Sequence, residues 1–518
     1  MADNIKRSNI PEQKNVKIIL ISTLIGILAG LVAVCYRVML TEAEELSFAM
    51  YRFIDNHKSW MPVLFIGLAV VGYLIGMLTQ KFDLISGSGI PQVKAQILGY
   101  IEGTWISTLL AKLLGGTVSI IAGLSLGREG PSIQLGACVA QGVANKFTDS
   151  PSEKRIYIAS GASAGLAAAF NAPLAGVMFA LEEIFKYFSP MVLLSTMVAA
   201  VVADFISKIF FGISHVFDFQ VTETVPIQFY WLFIILGILL GFAGVFYNIC
   251  LIKTQKLYAN IRFVNSRIKQ MIPFIMAGIL GLTFPIVLCG GHSLITALDM
   301  NTSLTFIIIA FILKFIFSMI SFGSGAPGGI FFPLLVLGST LGAIFAKIII
   351  PLTGMNEALF YNFIIIAMAA YFAAIVRAPL TGIILLVEMT GSLTQLLPLI
   401  ITSAVAYIVA EELHNKPIYE SLLDNLLRKK GFHEPEEAPS KILLEMIVNF
   451  GSNITDKKIK DITIPATCLI VSIKRGEINL TPNGSTTIRA GDYLTILTST
   501  SNEIEVREAL EAICSESI

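Results

Sequence analysis

Long apolar stretches recur along most of this chain, and they restrict its fold more than any other feature. The first occupies residues 18–40, and others follow until about residue 410. A stretch of about 20 apolar residues is long enough to cross a bilayer as a helix. Only 14% of the 518 residues are charged, against about 25% in soluble domains. The sequence therefore predicts an all-α, multi-pass membrane domain over residues 17–423, in contact with membrane lipid.

The charges and cysteines narrow the function classes. Lys plus Arg and Asp plus Glu number 36 each, so no net charge favours a nucleic-acid partner. The six cysteines are far apart in the sequence, with no CxxC pair and no histidine at metal-ligand spacing. We therefore predict no metal site, no cofactor and no disulfide. The basic residues in the tail, residues 1–16, predict a cytoplasmic N-terminus in the cell membrane by the positive-inside rule.

Glycine and proline clusters interrupt three of the apolar stretches. They are GSGIP at 87–91, GREGP at 127–131 and GSGAPGGIFFP at 323–333. Non-helical backbone at membrane depth is tolerated only where it is buried in protein or lines a polar cavity. The three breaks therefore predict a permeation site.

The membrane region also repeats itself. Residues 166–183 align without gaps on residues 372–389. Two related halves with breaks at matching places are typical of transporters and channels built as inverted-topology repeats, which bind their ions at the repeat interface. We predict that the repeats occupy about 17–215 and 228–415.

The acidic residues differ between the two halves in an informative way. Glu182 aligns with Glu388, as a carboxylate that only holds the fold together should. Glu129 and Glu183 have no acidic counterpart in the other half. An ionisable residue at membrane depth is costly and by default marks a pathway for ions or protons. We predict that Glu129 and Glu183 serve the chemistry of the protein.

The GREGP loop consists of Gly127, Arg128, Glu129, Gly130 and Pro131. Its pattern predicts the N-terminus of a helix, where backbone N–H groups attract anions. The alternative is that the loop lies at the water interface and its charges are merely solvated.

Two further loops supply groups suited to an anion. Ser88 is a hydroxyl flanked by glycines, which let backbone approach a ligand closely. Ile330 and Phe331 lie where a helix should restart, so their N–H groups should be free. Partial charges of this kind favour an anion and still release it. For each loop alone, a helix break for packing is the alternative.

Two motifs resemble enzyme signatures. Residues 161–165 fit G-x-S-x-G, which would make Ser163 the nucleophile of an intramembrane hydrolase. Neither a preceding strand nor a histidine partner supports this reading, and small-residue helix packing explains the segment better. Residues 323–328 fit G-x-G-x-x-G but lack the βαβ context of a dinucleotide site. We therefore predict no catalytic residue and a protein that is not an enzyme.

Taken together, GSGIP, GREGPSIQ, GGIFFP and the NAPLAG/RAPLTG pair resemble the CLC family of chloride channels and chloride/proton exchangers. The resemblance covers residues 18–423. It implies a homodimer with one ion pathway in each subunit.

The resemblance also implies roles for individual residues. Ser88, Tyr419 and the backbone amides of Ile330 and Phe331 would bind chloride. Glu129 would be the gating glutamate, which competes with chloride and moves away when it is protonated.

Glu183 matches the family's inner glutamate, which passes protons to the cytoplasm. Channel members usually lack an acid at this position, so the resemblance favours a chloride/proton antiporter. Ser88 argues against nitrate preference, and the intact GREGP and GSGIP motifs argue against fluoride export. A voltage- or pH-gated chloride channel of the same fold is the alternative.

A charged linker at 424–441 precedes a different kind of module, residues 442–518. Its short strand patterns and final amphipathic helix predict a small cytoplasmic α/β domain. The segment resembles the RCK_C (TrkA-C) domain of potassium channels and transporters. That resemblance implies a regulatory domain that either binds a nucleotide or cyclic dinucleotide or serves only for dimerisation. Three basic residues could contact phosphate or lie on the solvated surface: Lys474, Arg475 and Arg489. A sensor whose main role is ligand binding by this module is a further alternative.

Overall fold

A computed structural model describes most of the chain: residues 12–186, 188–213, 215–217, 219, 223–261, 265–432, 441–449, 451–476, 478–499 and 502–515. Most of the predicted tail and residues 433–440 of the predicted linker lie outside these ranges. The chain divides into two compact units between Lys429 and Lys430.

The first unit is helical. Its helices are α1 Glu12–Asn56, α2 Met61–Lys81, α3 Ile90–Ile97, α4 Trp105–Ile121, α5 Glu129–Phe147, α6 Pro151–Phe170, α7 Pro173–Phe179, α8 Pro190–Phe211, α9 Trp231–Asn260, α10 Ser266–Lys269, α11 Met271–Thr283, α12 His292–Thr296, α13 Leu304–Gly323, α14 Phe331–Thr353, α15 Phe360–Val376, α16 Pro379–Thr390, α17 Leu396–Glu412 and α18 Ile418–Lys429. A π-helix, Ala180–Phe185, continues α7. Within the described ranges, seven helical segments are long and apolar enough to cross a membrane.

Two apolar stretches that look continuous in the sequence are each broken into two helices. Asn171 ends α6 and Arg377 ends α15, both in the left-handed conformation, with φ of 54° and 65°. Pro173 and Pro379 follow two residues later and start α7 and α16. A left-handed C-terminal residue followed by proline is a common helix stop. Each of the apolar stretches at 156–181 and 363–387 therefore contains two helices, which the apolar pattern alone does not show.

Helices α5 and α6 cross with their backbones in direct contact. A β-carbon added at Gly136 would overlap the carbonyl oxygen of Gly161, and one added at Gly165 would overlap that of Ser132. The GASAG segment lies inside α6, and Ser163 is fully buried there. This is the small-residue packing expected from the sequence, and it lacks the strand–turn–helix geometry of a nucleophile elbow.

The two repeats cap each other's helices reciprocally. The N–H groups of Leu380 and Thr381, at the start of α16, donate to the Glu182 carboxylate, with N···O distances of 3.1 and 2.7 Å. In return, the N–H groups of residues 174 and 175, at the start of α7, donate to the Glu388 carboxylate at 3.0 and 2.8 Å. Each of the two aligned glutamates thus caps the N-terminus of a helix in the other repeat.

The second unit contains a four-stranded antiparallel sheet and one helix. Its elements are β1 Lys441–Ile447, β2 Leu469–Arg475, β3 Ile478–Leu480, β4 Tyr493–Ser499 and α19 Glu503–Cys514. The strand order is β1-β4-β2-β3. Alternate residues of the strands, such as Leu444, Ile473 and Ile496, pack with Val506 and Leu510 of α19 in a small apolar core.

Arg475 of this unit has an internal partner. It donates two hydrogen bonds to the Asp492 carboxylate at 2.8 and 2.7 Å and one to the Thr487 carbonyl at 2.8 Å. Burial raises the pKa of Asp492, but the hydrogen bonds from Arg475 and from the Arg489 N–H outweigh it and leave the pKa below the usual value. Arg475 therefore forms an ion pair within the domain, and its contact with phosphate stays a prediction.

Candidate ion-binding site

The three glycine-rich loops meet in the interior of the membrane unit. Gly127 and Gly329 exchange two backbone hydrogen bonds, with N···O distances of 2.7 and 2.8 Å. Gly87 donates to the Gly325 carbonyl at 3.3 Å and accepts from the Gly328 N–H at 3.1 Å. The loop of residues 323–333 is thus hydrogen-bonded to both loops of the first repeat, and it joins the two repeats at the breaks in their helices.

Two buried lysines, one in each repeat, donate hydrogen bonds to backbone carbonyls near these loops. Lys112 donates to the Gly87 carbonyl at 2.5 Å, and Lys314 donates to the Cys289 carbonyl at 2.8 Å. Both lysines are fully buried and lie 202 residues apart, as do the residues they contact. Sequence reasoning missed them, although the internal repeat contains the signal.

Ser88 lies against the start of α5. It is 2% exposed, and its hydroxyl accepts a hydrogen bond from the Ile90 N–H at 3.3 Å. A β-carbon at Gly130 would lie 2.8 Å from the Ser88 carbonyl oxygen and 2.9 Å from its Cβ. Only glycine permits this approach, so Gly130 brings the GSGIP and GREGP loops together.

The Glu129 side chain is fully buried at the first position of α5. Its Oε1 lies 3.8 Å from Arg128 Nε, and backbone N–H groups of Arg128, Glu129 and Phe332 face the carboxylate without reaching hydrogen-bond geometry. A β-carbon at Gly127 would be 2.5 Å from Glu129 Oε2 and 3.1 Å from the Phe332 nitrogen. The carboxylate therefore lies at the N-terminus of α14, where the first N–H groups have no partner within the helix and favour negative charge.

Ile330 and Phe331 form that N-terminus. Ile330 is the residue before α14, Phe331 is its first residue, and both are buried. The Phe179 ring lies 6.3 Å from the Phe331 ring and 6.3 Å from the Tyr419 ring, measured between centroids. Tyr419 is fully buried, and in the described part of the chain its hydroxyl has no hydrogen-bond partner. Its helix, α18, packs against α3, the helix that follows Ser88.

Glu183 lies on the π-helix that continues α7. It is 2% exposed, and its Oε1 accepts a hydrogen bond from Lys94 Nζ at 2.9 Å. Tyr419 is within electrostatic range of both glutamates. The aligned part of α16 is an ordinary α-helix, so the two repeats differ in backbone as well as in sequence here. π-helical turns occur often at functional sites.

Two open cavities lead toward the two glutamates. One, of about 660 Å³, is lined by Arg128, Glu129 and Phe332 among others. The other, of about 720 Å³, is lined by residues next to Glu183 and Tyr419, including Lys186 and Glu420. The first cavity reaches Glu129 itself, whereas the second reaches neighbours of Glu183 and Tyr419 in the sequence.

A helical membrane domain whose broken helices meet at a buried site with two buried carboxylates nearby indicates a class: an ion-transport protein. Residues 71–411 match the sequence profile of the voltage gated chloride channel family, and residues 443–511 match that of the TrkA-C domain. The chain belongs to the voltage-gated chloride channel, or CLC, family, and it carries a C-terminal TrkA-C domain. The predicted fold class and family resemblance are thereby confirmed, and the protein is a multi-pass membrane protein.

Individual relatives agree with this assignment. The H(+)/Cl(-) exchange transporter ClcA of Klebsiella pneumoniae strain 342 is 34% identical over 449 residues, which cover 84% of this chain and 94% of the relative. The crystal structure of a slow cyanobacterial Cl-/H+ antiporter superposes with a TM-score of 0.76 at 31% identity, covering 80% of this chain and 99% of that one. A CLC-type fluoride/proton antiporter superposes with a TM-score of 0.66 at 25% identity, covering 79% and 98%.

Proposed function

We propose that this protein is a secondary active antiporter that exchanges chloride for protons across the cell membrane. The observation that carries the proposal is the pair of buried carboxylates, Glu129 and Glu183, both within electrostatic range of Tyr419. Exchange needs a proton acceptor on each side of the anion site, whereas passive conduction needs none. The names of the relatives, which include an H(+)/Cl(-) exchange transporter and a Cl-/H+ antiporter, support the same reading.

The chloride half of the cycle uses helix N-termini in place of a full positive charge. Chloride binds among the Ser88 hydroxyl, the Tyr419 hydroxyl and the amides of Ile330 and Phe331. The Tyr419 hydroxyl is buried and has no hydrogen-bond partner among the described residues, and a buried donor without an acceptor is costly. A bound chloride would accept a hydrogen bond from it, which supports this role. Glu129 is the gate: its carboxylate, near the same helix N-terminus, competes with chloride until a proton neutralises it. The other residues of the GREGP loop support this gating carboxylate: Gly127, Arg128, Gly130 and Pro131.

The proton half of the cycle uses Glu183. A proton from the cytoplasmic solution reaches Glu183 from the cavity beside it, passes to Glu129 and leaves on the far side as chloride moves the opposite way. A chloride channel of the same fold is the second candidate, and it predicts that Glu183 has no part in transport.

The topology and the domain division complete the proposal. The basic tail at 1–16 keeps the N-terminus in the cytoplasm. The membrane domain at 17–423, the linker at 424–441 and the TrkA-C domain at 442–518 form a homodimer with both termini cytoplasmic. A nucleotide or cyclic dinucleotide at the C-terminal domain would regulate transport, and passive dimerisation is the alternative role.

The test compares the wild-type protein with Glu183→Gln in liposomes, recording chloride efflux and proton uptake together. We expect chloride flux to persist in the variant while proton uptake falls to background, because glutamine cannot carry a proton. Glu388→Gln is the matched control: its carboxylate is partly buried and caps a helix, so the change should leave coupling intact. Undiminished proton transport by Glu183→Gln would refute the role of Glu183.

A further inference from the structure

A buried ion pair joins the proton pathway to the chloride site. Lys94 Nζ and Glu183 Oε1 are 2.9 Å apart, and their side chains are only 5% and 2% exposed. Lys94 belongs to α3, which begins two residues after Ser88. One short helix therefore follows a proposed chloride ligand by two residues and carries the partner of the proposed proton acceptor at its fifth position. We infer that Lys94 is a positioning residue for proton transfer: its ammonium group holds Glu183 ionised and aimed into the protein. This inference rests on the antiport function proposed above.

The ion pair sets the conditions under which Glu183 can take up a proton. A hydronium ion from the neighbouring cavity gives its proton to the carboxylate and leaves as water, while Lys94 keeps its own proton. That step leaves a buried ammonium group without a counter-charge, which is costly in a low-dielectric interior. Lys94 therefore opposes premature protonation, and Glu183 accepts a proton only when the cytoplasmic proton concentration is high enough to break the pair.

Other groups also face Glu183, and their positions make Lys94 the main one. Lys186 lies further along the chain from the π-helix, is 45% exposed and pairs with Glu420, so solvent screens its charge. Glu182 turns away to cap α16. The Tyr419 hydroxyl faces both glutamates but is uncharged. Within the described residues, the hydrogen bond from Lys94 is the direct contact between Glu183 and a buried cation.

The experiment measures proton transport by reconstituted full-length protein as the pH on the Glu183 side is varied. Lys94→Met and Lys94→Gln remove the charge with side chains of different polarity. Both should move the half-maximal pH upward by roughly 1–3 units, the range for loss of an opposite charge within hydrogen-bond distance. Lys94→Arg keeps the charge and should restore a profile close to that of the wild type.

The control is Lys416→Met. Lys416 lines the same cavity, is 62% exposed and pairs with Asp424 at 3.2 Å, so its loss should not move the profile. Chloride flux in the same vesicles shows that each protein is folded.

The outcomes separate this inference from the proposal beneath it. If the wild type couples protons to chloride and both neutral variants keep its pH profile, Lys94 has no such role. An equal shift in Lys416→Met would also overturn the inference, because it would trace the effect to general surface charge. If the wild type moves no protons at all, the antiport function and the role of Lys94 both fall.

Discussion

The reciprocal caps between the repeats predict the effect of removing one glutamate, Glu388→Ala. The Glu388 carboxylate accepts hydrogen bonds from two N–H groups of α7, at 3.0 and 2.8 Å, and is only partly buried. Loss of a capping side chain costs about 0.5–2 kcal/mol. Loss of a negative charge at a helix N-terminus adds about 0.3–1 kcal/mol. We therefore expect Glu388→Ala to lower the free energy of unfolding by about 1–3 kcal/mol.

The assay is thermal unfolding of the purified protein, followed by loss of the folded peak in size-exclusion chromatography, beside transport measurements on the same preparation. Glu182→Ala should destabilise at least as much, because Glu182 also accepts a hydrogen bond from the Thr381 hydroxyl at 2.8 Å. Both variants should keep the proton-to-chloride ratio of the wild type. An unchanged midpoint in both, or a lost ratio with unchanged stability, would refute the argument that these carboxylates hold the repeats together.

Three further predictions concern the gate, the helix crossing and the C-terminal unit. Glu129→Ala removes the gate, so chloride flux should become independent of protons and of pH; flux that still slows at high pH would place the gate elsewhere. Gly161→Ala pushes α5 and α6 apart and should cost at least about 1–3 kcal/mol in thermal unfolding, whereas Gly67→Ala meets no atom within 4 Å and should be close to neutral. Because the pKa of Asp492 is lowered on folding, its ion pair with Arg475 stabilises the domain above about pH 4 and is lost as pH falls through the folded pKa. Arg475→Met should therefore make this domain sensitive to pepsin at a higher pH than in the wild type, and identical digestion profiles would contradict this.

Much of the membrane fold could be predicted because the two repeats are similar enough in sequence to be aligned. The alignment of Glu182 with Glu388 anticipated a shared structural role, and the glycine loops anticipated the breaks in the helices. The two helix stops at Asn171 and Arg377 were missed, since the apolar pattern continues across them. A left-handed residue and a proline two positions later end each helix, and hydropathy registers neither.

The partner of Glu183 could not be predicted from the sequence. Lys94 and Glu183 are 89 residues apart, and only the tertiary packing of α3, which contacts α5 and α6, brings them together. A lysine in the buried segment after GSGIP was the available signal, but nothing in the sequence says which carboxylate it meets. The π-helix was equally hidden, because the aligned stretch of the second repeat forms an ordinary α-helix.

The most direct test of the account uses liposomes that contain the purified wild-type protein, with a chloride gradient imposed and a potassium ionophore holding the voltage at zero. External pH is recorded as chloride moves. The account predicts that chloride flowing down its gradient drives protons uphill in the opposite direction. Chloride flux without proton movement would contradict the account and make the protein a channel.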